Sequence, residues 1–173
     1  VAHNSGDNFE TVLFNLTRGS SIRGLCGIPP VRENIIRPLI ECSRREIEDY
    51  CTAIGEKFVT DNTNSDTAYS RNYIRHEIVP RLLALNPSAE KNVSRMCCTL
   101  RRDADFIDKI AQDADIEDDA LTIRRIINEY KIASGGKTLE SVHIENALKL
   151  VKKGTLHSSL SLPDRLCLRI TRE

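Results

Sequence analysis

Apolar residues recur at helical spacing near the start of the chain, where four of them share one face: Phe9, Val12, Leu13 and Leu16. Asp7 is the predicted N-cap of this helix, and Glu10, three residues further on, completes a loose capping box. Gly19 can adopt the left-handed conformation that closes a helix. The pattern predicts a first amphipathic helix between Asp7 and Gly19.

A second helix is predicted to open with a capping box at Ser43 and Glu46 and to stop at Gly55. Residues 58–60, Phe-Val-Thr, favour a short strand because β-branched and aromatic side chains suit a pleated sheet.

A third helix carries Arg71, and Pro80 must bend or break it before Pro87 ends its continuation. The next predicted helix spans residues 88–112, and its core stripe has seven members: Val93, Met96, Cys97, Leu100, Ala104, Ile107 and Ile110. Helices over about residues 118–133 and 140–153 follow. Apolar residues alternate around Pro163-Asp164 and predict a closing β-hairpin. Helices therefore dominate the predicted fold.

Charge is balanced overall but uneven along the chain. The 173 residues include 25 basic and 25 acidic side chains. Residues 1–102 carry a net charge of +2, residues 103–119 of −7 and residues 120–173 of +5. A polyanion would therefore meet a local basic surface. The acidic run lacks the glycine and terminal glutamate of a calcium loop, so we interpret it as a solvated helix end and linker that faces away from any polyanion or marks a hinge.

Cysteine spacing and hydropathy narrow the class of protein. None of the six cysteines forms a paired C-x-x-C spacing, so neither a disulfide framework nor a zinc site is indicated. We find no signal peptide and no apolar run long enough to span a bilayer. These features predict a protein of the reducing cytoplasm with no membrane partner.

A polar loop rich in Asn, Asp, Thr and Ser, residues 61–66, leads into the helix that carries Arg71 and Arg75. The two arginines stand four residues apart, so they share a helix face beside this loop and are placed to hold phosphate. A solvated helix face that happens to carry two arginines is the alternative interpretation.

His3, Asn4 and Asp7 are predicted to lie on the turn that enters the first helix, where backbone N–H groups and the helix dipole favour anions. The alternative is a plain helix cap beside a surface histidine. Neither interpretation is decided by these residues alone.

The first 87 residues carry short motifs in a fixed order: Ala2-His3 with Asp7, Glu10 and Thr11; Leu16-Thr17-Arg18-Gly19; Arg23-Gly24-Leu25-Cys26-Gly27-Ile28-Pro29; Arg37-Pro38-Leu39; Arg44 with Glu46-Ile47 and Tyr50; Asp61 with Thr63-Asn64; Tyr69 with Arg71-Asn72 and Ile74-Arg75; Pro80 with Asn86-Pro87. This ordered set resembles the tRNA(Ile)-lysidine synthase family, which belongs to the ATP pyrophosphatase group. Beyond residue 87 the resemblance rests on the order of helices and on Leu162-Pro163.

The resemblance implies an α/β parent protein. Residues 1–87 would be the C-terminal part of a doubly wound ATP pyrophosphatase domain. Residues 88–173 would be a helical tRNA-recognition domain with a short β-hairpin and a linker near residues 113–118. The phosphate loop of the family, Ser-Gly-Gly-x-Asp-Ser, is expected upstream, so we expect this segment alone to be inactive. The similar string at 134–138 is interpreted as a helix-ending turn. Asn4 and Gly6 replace a second histidine and an extra acid that the family usually carries.

The resemblance also implies residue roles. Arg71 and Arg75 are candidates for contact with phosphate or cytidine. Asp7 would hold Mg²⁺ or position the nucleophile, and His3 would shuttle a proton, although these two roles could be exchanged. The other candidates are Arg18, Gly19 and Asn72 for ATP phosphate, and Arg95, Arg101 and Arg102 for tRNA.

The implied reaction uses ATP to adenylate the wobble cytidine of tRNA(Ile) bearing a CAU anticodon, after which L-lysine displaces AMP to give lysidine. ATP, Mg²⁺, lysine and the tRNA are the implied ligands, and pairing into a homodimer is left open. Two alternatives remain at this point: another tRNA-modifying ATP pyrophosphatase such as a cytidine thiolase, and a tRNA-binding module without catalysis.

Overall fold

Helices dominate the fold, as predicted. The computed structural model describes residues 1–58, 70–113 and 118–171. These residues include two small sheets, each of two antiparallel strands. The contacts divide the chain into two compact units, Val1–Ala104 and Asp105–Glu173. The predicted division into domains at residue 87 stays a prediction.

Helix α1 spans Ser5–Thr17 and is capped by Asn4. The Asn4 side chain accepts a hydrogen bond from the Asp7 backbone N–H, and the Asp7 carboxylate accepts one from the Asn4 N–H, each at 3.0 Å. The predicted cap was therefore wrong by three positions, because Asn caps a helix as well as Asp does. Gly19 ends the helix with φ 72°, as predicted.

A short helix and a hairpin follow that the sequence did not predict. Helix α2 spans Ile22–Leu25, and strands β1 (Val31–Arg32) and β2 (Ile35–Ile36) pair in antiparallel register, Val31 opposite Ile36. Two residues per strand are too few to show an alternating pattern.

Helix α3 spans Arg44–Ala53 and confirms the predicted capping box, with the Ser43 and Glu46 side chains each bonded to the backbone of the other. Gly55 follows with φ 74°. Phe58 is exposed and does not form the predicted strand. The rest of that strand and the polar loop at 61–66 lie outside the described residues.

The helix that carries the two arginines runs through a π turn. It consists of α4 (Ser70–Tyr73), a π-helical segment (Ile74–Ile78) and α5 (Val79–Leu85). In a regular α-helix, Pro80 would have no N–H for the carbonyl four residues earlier and its ring would press on that carbonyl. The wider π turn accommodates the proline, so the helix continues through it. Asn86 then ends the helix in extended conformation, as predicted.

Helix α6 spans Ala89–Asp113, close to the predicted bounds. Its buried positions are Cys97, Ala104 and Ala111, which are seven residues apart. Met96 and Ile110 are each 39% exposed, so the predicted core stripe was too wide. They precede the buried positions by one residue and are rotated about 100° away from them.

The second unit contains α7 (Asp119–Ala133), α8 (Ser141–Lys153) and a hairpin of β3 (Ser159–Ser161) and β4 (Cys167–Arg169), all as predicted. Asp118 caps α7, and residues 114–117 of the predicted linker lie outside the described residues. The string at 134–138 is the predicted helix-ending turn, with Ser134 as the C-cap.

Tyr130 and Asp164 tie the hairpin to α7. The Tyr130 hydroxyl donates to the Asp164 carboxylate at 2.7 Å, and the Lys137 ammonium donates to the other oxygen of that carboxylate. Asp164 lies in the turn between the strands with φ 59°. Lys137, and after it Tyr130, lower the pKa of Asp164 by hydrogen bonding, whereas the bond to Asp164 raises the pKa of Tyr130.

Candidate functional site

The best-defined charged cluster joins α1 to the π turn. Arg75 Nε donates to Glu10 Oε1 at 2.6 Å, and an Arg75 terminal nitrogen donates to Glu10 Oε2 at 2.9 Å. The same nitrogen also donates to Asp7 Oδ1 at 3.2 Å. Asp7 and Glu10 are three residues apart on α1, which places both carboxylates on one helix face. The local folding of α1 thus presents a paired acidic surface to one arginine.

The cluster is partly buried. The Glu10 side chain is 7% exposed and the Arg75 side chain 33%. The hydrogen bond to Glu10, with the negative charges of Glu10 and Asp7, raises the pKa of Arg75, and partial burial opposes that rise. A bidentate arginine–carboxylate pair fixes the plane of the guanidinium as well as its position. Arg75 is therefore held in one orientation.

Arg71 lies beside the cluster and is more open to solvent. Its terminal nitrogen donates to Thr11 Oγ1 at 3.3 Å, and its Nε is 3.5 Å from Glu10 Oε2. Its side chain is 49% exposed. The prediction that both arginines share one face is confirmed, since both reach Glu10. Arg71 is the better placed of the two to meet a ligand arriving from solvent.

His3 precedes the N-cap of α1 and contacts Arg37. Arg37 Nε donates to His3 Nδ1 at 3.1 Å, while another Arg37 nitrogen donates to the Pro29 carbonyl oxygen at 2.9 Å. Asn4, the next residue after His3, bonds the Asp7 carboxylate through its backbone N–H. His3 is thus one residue from the capping box that orients Asp7.

The N-terminus of α1 offers fewer free donors than expected. The Ser5 N–H donates to the Cys42 carbonyl oxygen at 2.9 Å, and the Asp7 N–H is taken by the Asn4 side chain. These donors already have protein partners. The arginines therefore form a stronger candidate anion site than the helix end does.

Asn8 links α1 to the loop at residues 27–28. The buried Asn8 side chain accepts a hydrogen bond from the Ile28 N–H at 2.7 Å. A Cβ atom at Gly27 would come within 2.1 Å of Asn8 Oδ1, and Gly27 has φ 67°. The loop can approach Asn8 because residue 27 is glycine. Cys97 lies in the same region, where burial raises the pKa of its thiol.

The three arginines predicted to face tRNA differ in their surroundings. Arg101 is half-buried and donates to the carbonyl oxygens of Cys26 at 2.9 Å and Ile28 at 3.3 Å, so it does not lie on an open helix face as expected. Arg95 and Arg102 are exposed. Arg101 therefore helps to hold the loop at residues 26–28, whereas Arg95 and Arg102 remain candidates for contact with the backbone of an RNA.

Arg18 and Gly19 lie away from the cluster. They follow the last turn of α1, and Arg18 is about 12 Å further along the helix axis than Glu10. The Arg18 guanidinium lies 5.2 Å from the centre of the Phe14 ring. Arg18 is therefore not part of the cluster of Arg75, Glu10 and Asp7, and its role in binding ATP phosphate stays a prediction. Asn72 lies half-buried on the helix that carries Arg71 and Arg75.

Sequence reasoning did not name Glu10 as a site residue. The available signal was its spacing of three from Asp7, which puts two carboxylates on one face opposite a helix with two arginines. Among the described residues, no group of three or more His, Cys, Asp or Glu side chains forms a cluster able to hold a metal ion. Asp7 and Glu10 both accept hydrogen bonds from Arg75, so Mg²⁺ would have to share their carboxylates with that guanidinium and take most of its ligands from phosphate oxygens and water.

Of the helices in the described part of the chain, none combines the length and the apolar character that crossing a bilayer requires.

Comparison with known proteins gives a consistent result. Residues 1–82 match a family described as a PP-loop domain. The chain is 34% identical to a tRNA(Ile)-lysidine synthase of Clostridium tetani over 189 aligned positions, which cover 96% of the chain and 40% of that protein. It is 36% identical to one of Caldanaerobacter subterraneus subsp. tengcongensis, over 94% of the chain and 39% of that protein. For one of Thermosipho africanus the identity is 49% over 95 positions, which cover 55% of the chain and 22% of that protein. The chain spans about 40% of the length of the first two of these relatives.

Proposed function

Because the chain belongs to the tRNA(Ile)-lysidine synthase family, we propose that it is part of an enzyme that modifies tRNA. The reaction joins L-lysine to the wobble cytidine of tRNA(Ile) with a CAU anticodon and consumes ATP. The enzyme is a ligase of the cytoplasm that forms a carbon–nitrogen bond. The match of residues 1–82 to a PP-loop domain supports the use of ATP.

The cluster of Arg75 with Glu10 and Asp7, flanked by Arg71, is the observation that carries this proposal. Adenylation moves negative charge among phosphate oxygens and a carbonyl oxygen. Fixed cationic donors stabilise this redistribution without forming bonds of their own. An arginine whose plane is set by a buried carboxylate meets that requirement because it needs no reorganisation during the reaction.

The proposed chemistry has two steps. In the first, the cytidine carbonyl oxygen bonds the α-phosphorus of ATP and pyrophosphate leaves. In the second, the lysine amine nitrogen bonds the activated carbon, the carbon–oxygen bond breaks and AMP leaves with the electron pair. The amine releases protons in the course of this step. The product is lysidine.

Residue roles follow from position. Arg71 and Arg75, with Asn72 beside them, are proposed to contact phosphate or cytidine, and Asp7 to position the amine or hold Mg²⁺. When bound, Mg²⁺ supplies neutralisation of phosphate charge. His3 is proposed to act beside Asp7, at the start of α1.

The exposed arginines of α6, Arg95 and Arg102, are proposed to contact the tRNA backbone. We retain residues 88–173 as the proposed tRNA-recognition domain and residues 1–87 as part of the catalytic domain. A homodimer is a further proposal, tested by light scattering of the purified protein.

The test is ATP-dependent incorporation of labelled lysine into tRNA(Ile) bearing a CAU anticodon, with the full-length protein that contains this chain. The double variant Arg71→Ala, Arg75→Ala should lose incorporation. Arg44→Ala, Arg45→Ala is the matched control, because it removes two exposed arginines of α3 and should retain it.

Absence of incorporation by the unmodified protein, with salt-sensitive tRNA binding intact, would overturn the ligase proposal and leave a binding module. Transfer of sulfur rather than lysine to the cytidine would identify a thiolase. Equal losses in both double variants would remove the special role of the arginine cluster.

A further inference from the structure

Arg37 and His3 form a contact that restricts where the imidazole can carry its proton. The Arg37 guanidinium has only donors and stays protonated in proteins. Its Nε–H points at His3 Nδ1 over 3.1 Å, so Nδ1 must supply a lone pair. An imidazolium carries a hydrogen on both ring nitrogens and would place two N–H groups against each other. The contact therefore requires a neutral ring with its proton on Nε2.

The Arg37 side chain is positioned without help from His3. Its terminal nitrogen donates to the Pro29 carbonyl oxygen at 2.9 Å, and its backbone N–H donates to the Pro30 carbonyl oxygen at 2.8 Å. Arg37 directly follows strand β2, whose pairing with β1 closes the loop that begins at Pro30. Both residues of the pair are half-buried. The guanidinium is thus held in place by the backbone of its own loop and presents Nε–H to the histidine.

We propose that Arg37 is a positioning residue that fixes His3 as the neutral Nε2–H tautomer, so that His3 serves as a hydrogen-bond donor to a substrate oxygen rather than as a proton shuttle. This inference rests on the proposed function for the identity of that oxygen, which would belong to the phosphate or carbonyl of the adenylated cytidine. It changes the role that sequence reasoning gave to His3.

The consequence for the reaction concerns the proton that the lysine amine releases. While the Arg37 contact lasts, His3 cannot take this proton, because Nδ1 is occupied by a donor and Nε2 already carries hydrogen. The proton goes instead to water or to a carboxylate, of which Asp7 is one. His3 contributes a preorganised hydrogen-bond donor. Such donors raise the reaction rate strongly when negative charge develops on an oxygen in the transition state.

The first experiment measures the tautomer directly. The full-length protein that contains this chain is labelled with ¹⁵N-histidine, and the nitrogen chemical shifts of His3 are recorded at pH 7, with His3→Gln used to distinguish its signals from those of the other histidines. We expect a protonated Nε2 and an unprotonated Nδ1. In Arg37→Met this fixed state should give way to mixed tautomers or to imidazolium, whereas Arg32→Met, which removes an exposed arginine of β1, should leave it unchanged.

A protonated Nδ1 in the unmodified protein would overturn the proposal, as would shifts that Arg37→Met leaves unaltered. Circular dichroism of each variant establishes that it is folded. If Arg37→Met does not fold, the tautomer in the unmodified protein still decides the question.

The second experiment separates a positioning role from a structural one. In lysine incorporation, His3→Gln should lower kcat on the order of 100-fold, as loss of a single oxyanion donor does. Arg37→Met should lower kcat less, with KM for ATP unchanged, and the double variant should be no slower than His3→Gln. A double variant slower by the product of both factors would show that Arg37 acts independently of His3. If the expected tautomer is found but the unmodified protein incorporates no lysine, the proposed function fails and the assignment of the His3 proton stands.

Discussion

The guanidinium of Arg75 forms a two-bond fork with the carboxylate of Glu10, although the two residues are 65 positions apart in sequence. The bonds measure 2.6 and 2.9 Å, and Asp7 adds a third contact at 3.2 Å. The acceptors lie on one turn of α1 and the donor lies inside a π turn. Two helices are thereby joined through charged groups at the place where we propose that phosphate binds.

Replacing the Glu10 carboxylate should weaken both the fold and the activity. In Glu10→Gln, one oxygen becomes an amide nitrogen that faces an arginine N–H, so one hydrogen bond is lost to a conflict of donors. We expect the free energy of unfolding in urea to fall by about 1–2 kcal/mol. The matched control, Glu48→Gln, breaks an exposed helix pair with Arg44 and should cost about 0.5 kcal/mol or less. Equal losses of unfolding free energy in the two variants would show that the buried fork stabilises the protein no more than an exposed ion pair does.

Substitution by lysine should have different effects at Arg75 and at Arg71. Lysine keeps the charge but cannot form a planar fork, so Arg75→Lys should lower the free energy of unfolding by about 1 kcal/mol and reduce lysine incorporation. Arg71 is half-exposed and makes longer contacts, so Arg71→Lys should change stability by less than about 0.5 kcal/mol. Urea titrations of the two variants make the comparison, and a larger stability loss in Arg71→Lys would contradict it.

Comparison of Gly27 with Gly19 separates two costs in stability of adding a side chain at Gly27: backbone strain and the clash with Asn8. Gly19 and Gly27 both have left-handed φ, but a Cβ atom would find open space at Gly19 and the Asn8 amide oxygen at Gly27. Gly19→Ala should therefore lose about 1 kcal/mol of stability from backbone strain alone. Gly27→Ala should lose about 2 kcal/mol more, since Asn8 must also release the Ile28 N–H. Thermal unfolding followed by circular dichroism measures both, and similar losses would contradict the clash.

The link between Tyr130 and Asp164 predicts a dependence of stability on pH. The lowered pKa of Asp164 means that its ionised form is favoured in the folded state. Its contribution is complete above the ordinary carboxyl pKa of about 3.9 and is lost as the pH falls through the lower pKa of the folded state. The raised pKa of Tyr130 acts in the opposite range: its contribution is complete below the ordinary tyrosine value of about 10 and is lost as the pH rises beyond it.

Urea unfolding of the protein and of Asp164→Asn, measured from pH 2.5 to 11, tests this dependence. The difference in free energy between the two should be greatest near neutral pH and should shrink at both ends of the range. Asp49→Asn, which alters an exposed ion pair of α3, serves as the reference and should show a small difference throughout. A free-energy difference for Asp164→Asn that does not vary with pH would disprove the shifted pKa values of Asp164 and Tyr130 in the folded state.

Much of the fold was predictable because its helices carry local signals. Ser43 and Glu46 announce α3, and the bounds of α7 and α8 follow from apolar spacing and the terminal glycines. The β1–β2 hairpin has two residues per strand and no such signal. The cap of α1 was misplaced because Asn4 and Asp7 are both good capping residues, and what separates them is the geometry of the turn.

The candidate site was predictable in its members more than in its contacts. Arg75 contacts Asp7, and Arg71 and Arg75 share a helix face that their spacing defines; the roles of these residues stay predictions. Glu10 was missed because it belongs to the cluster only through its hydrogen bonds to Arg75, a residue far away in sequence. The neighbours of Arg18 and Arg101 were not predictable for a related reason: the sequence gives the charge of a helical side chain but not whether it will contact a ring or a carbonyl.

The π turn at Ile74–Ile78 makes the number of residues in this helix as important as their identity. A π turn holds one residue more than the α-helical turn that would replace it. Deleting one residue there would turn the segment into a regular α-helix whose two ends keep their relative orientation, but Pro80 would then lose the room that the wider turn gives it. Arg75 lies inside this turn, so its place opposite Glu10 depends on the extra residue. A related sequence that is one residue shorter at this turn is therefore expected to lack the fork between Arg75 and Glu10, even if all other residues of the helix are the same.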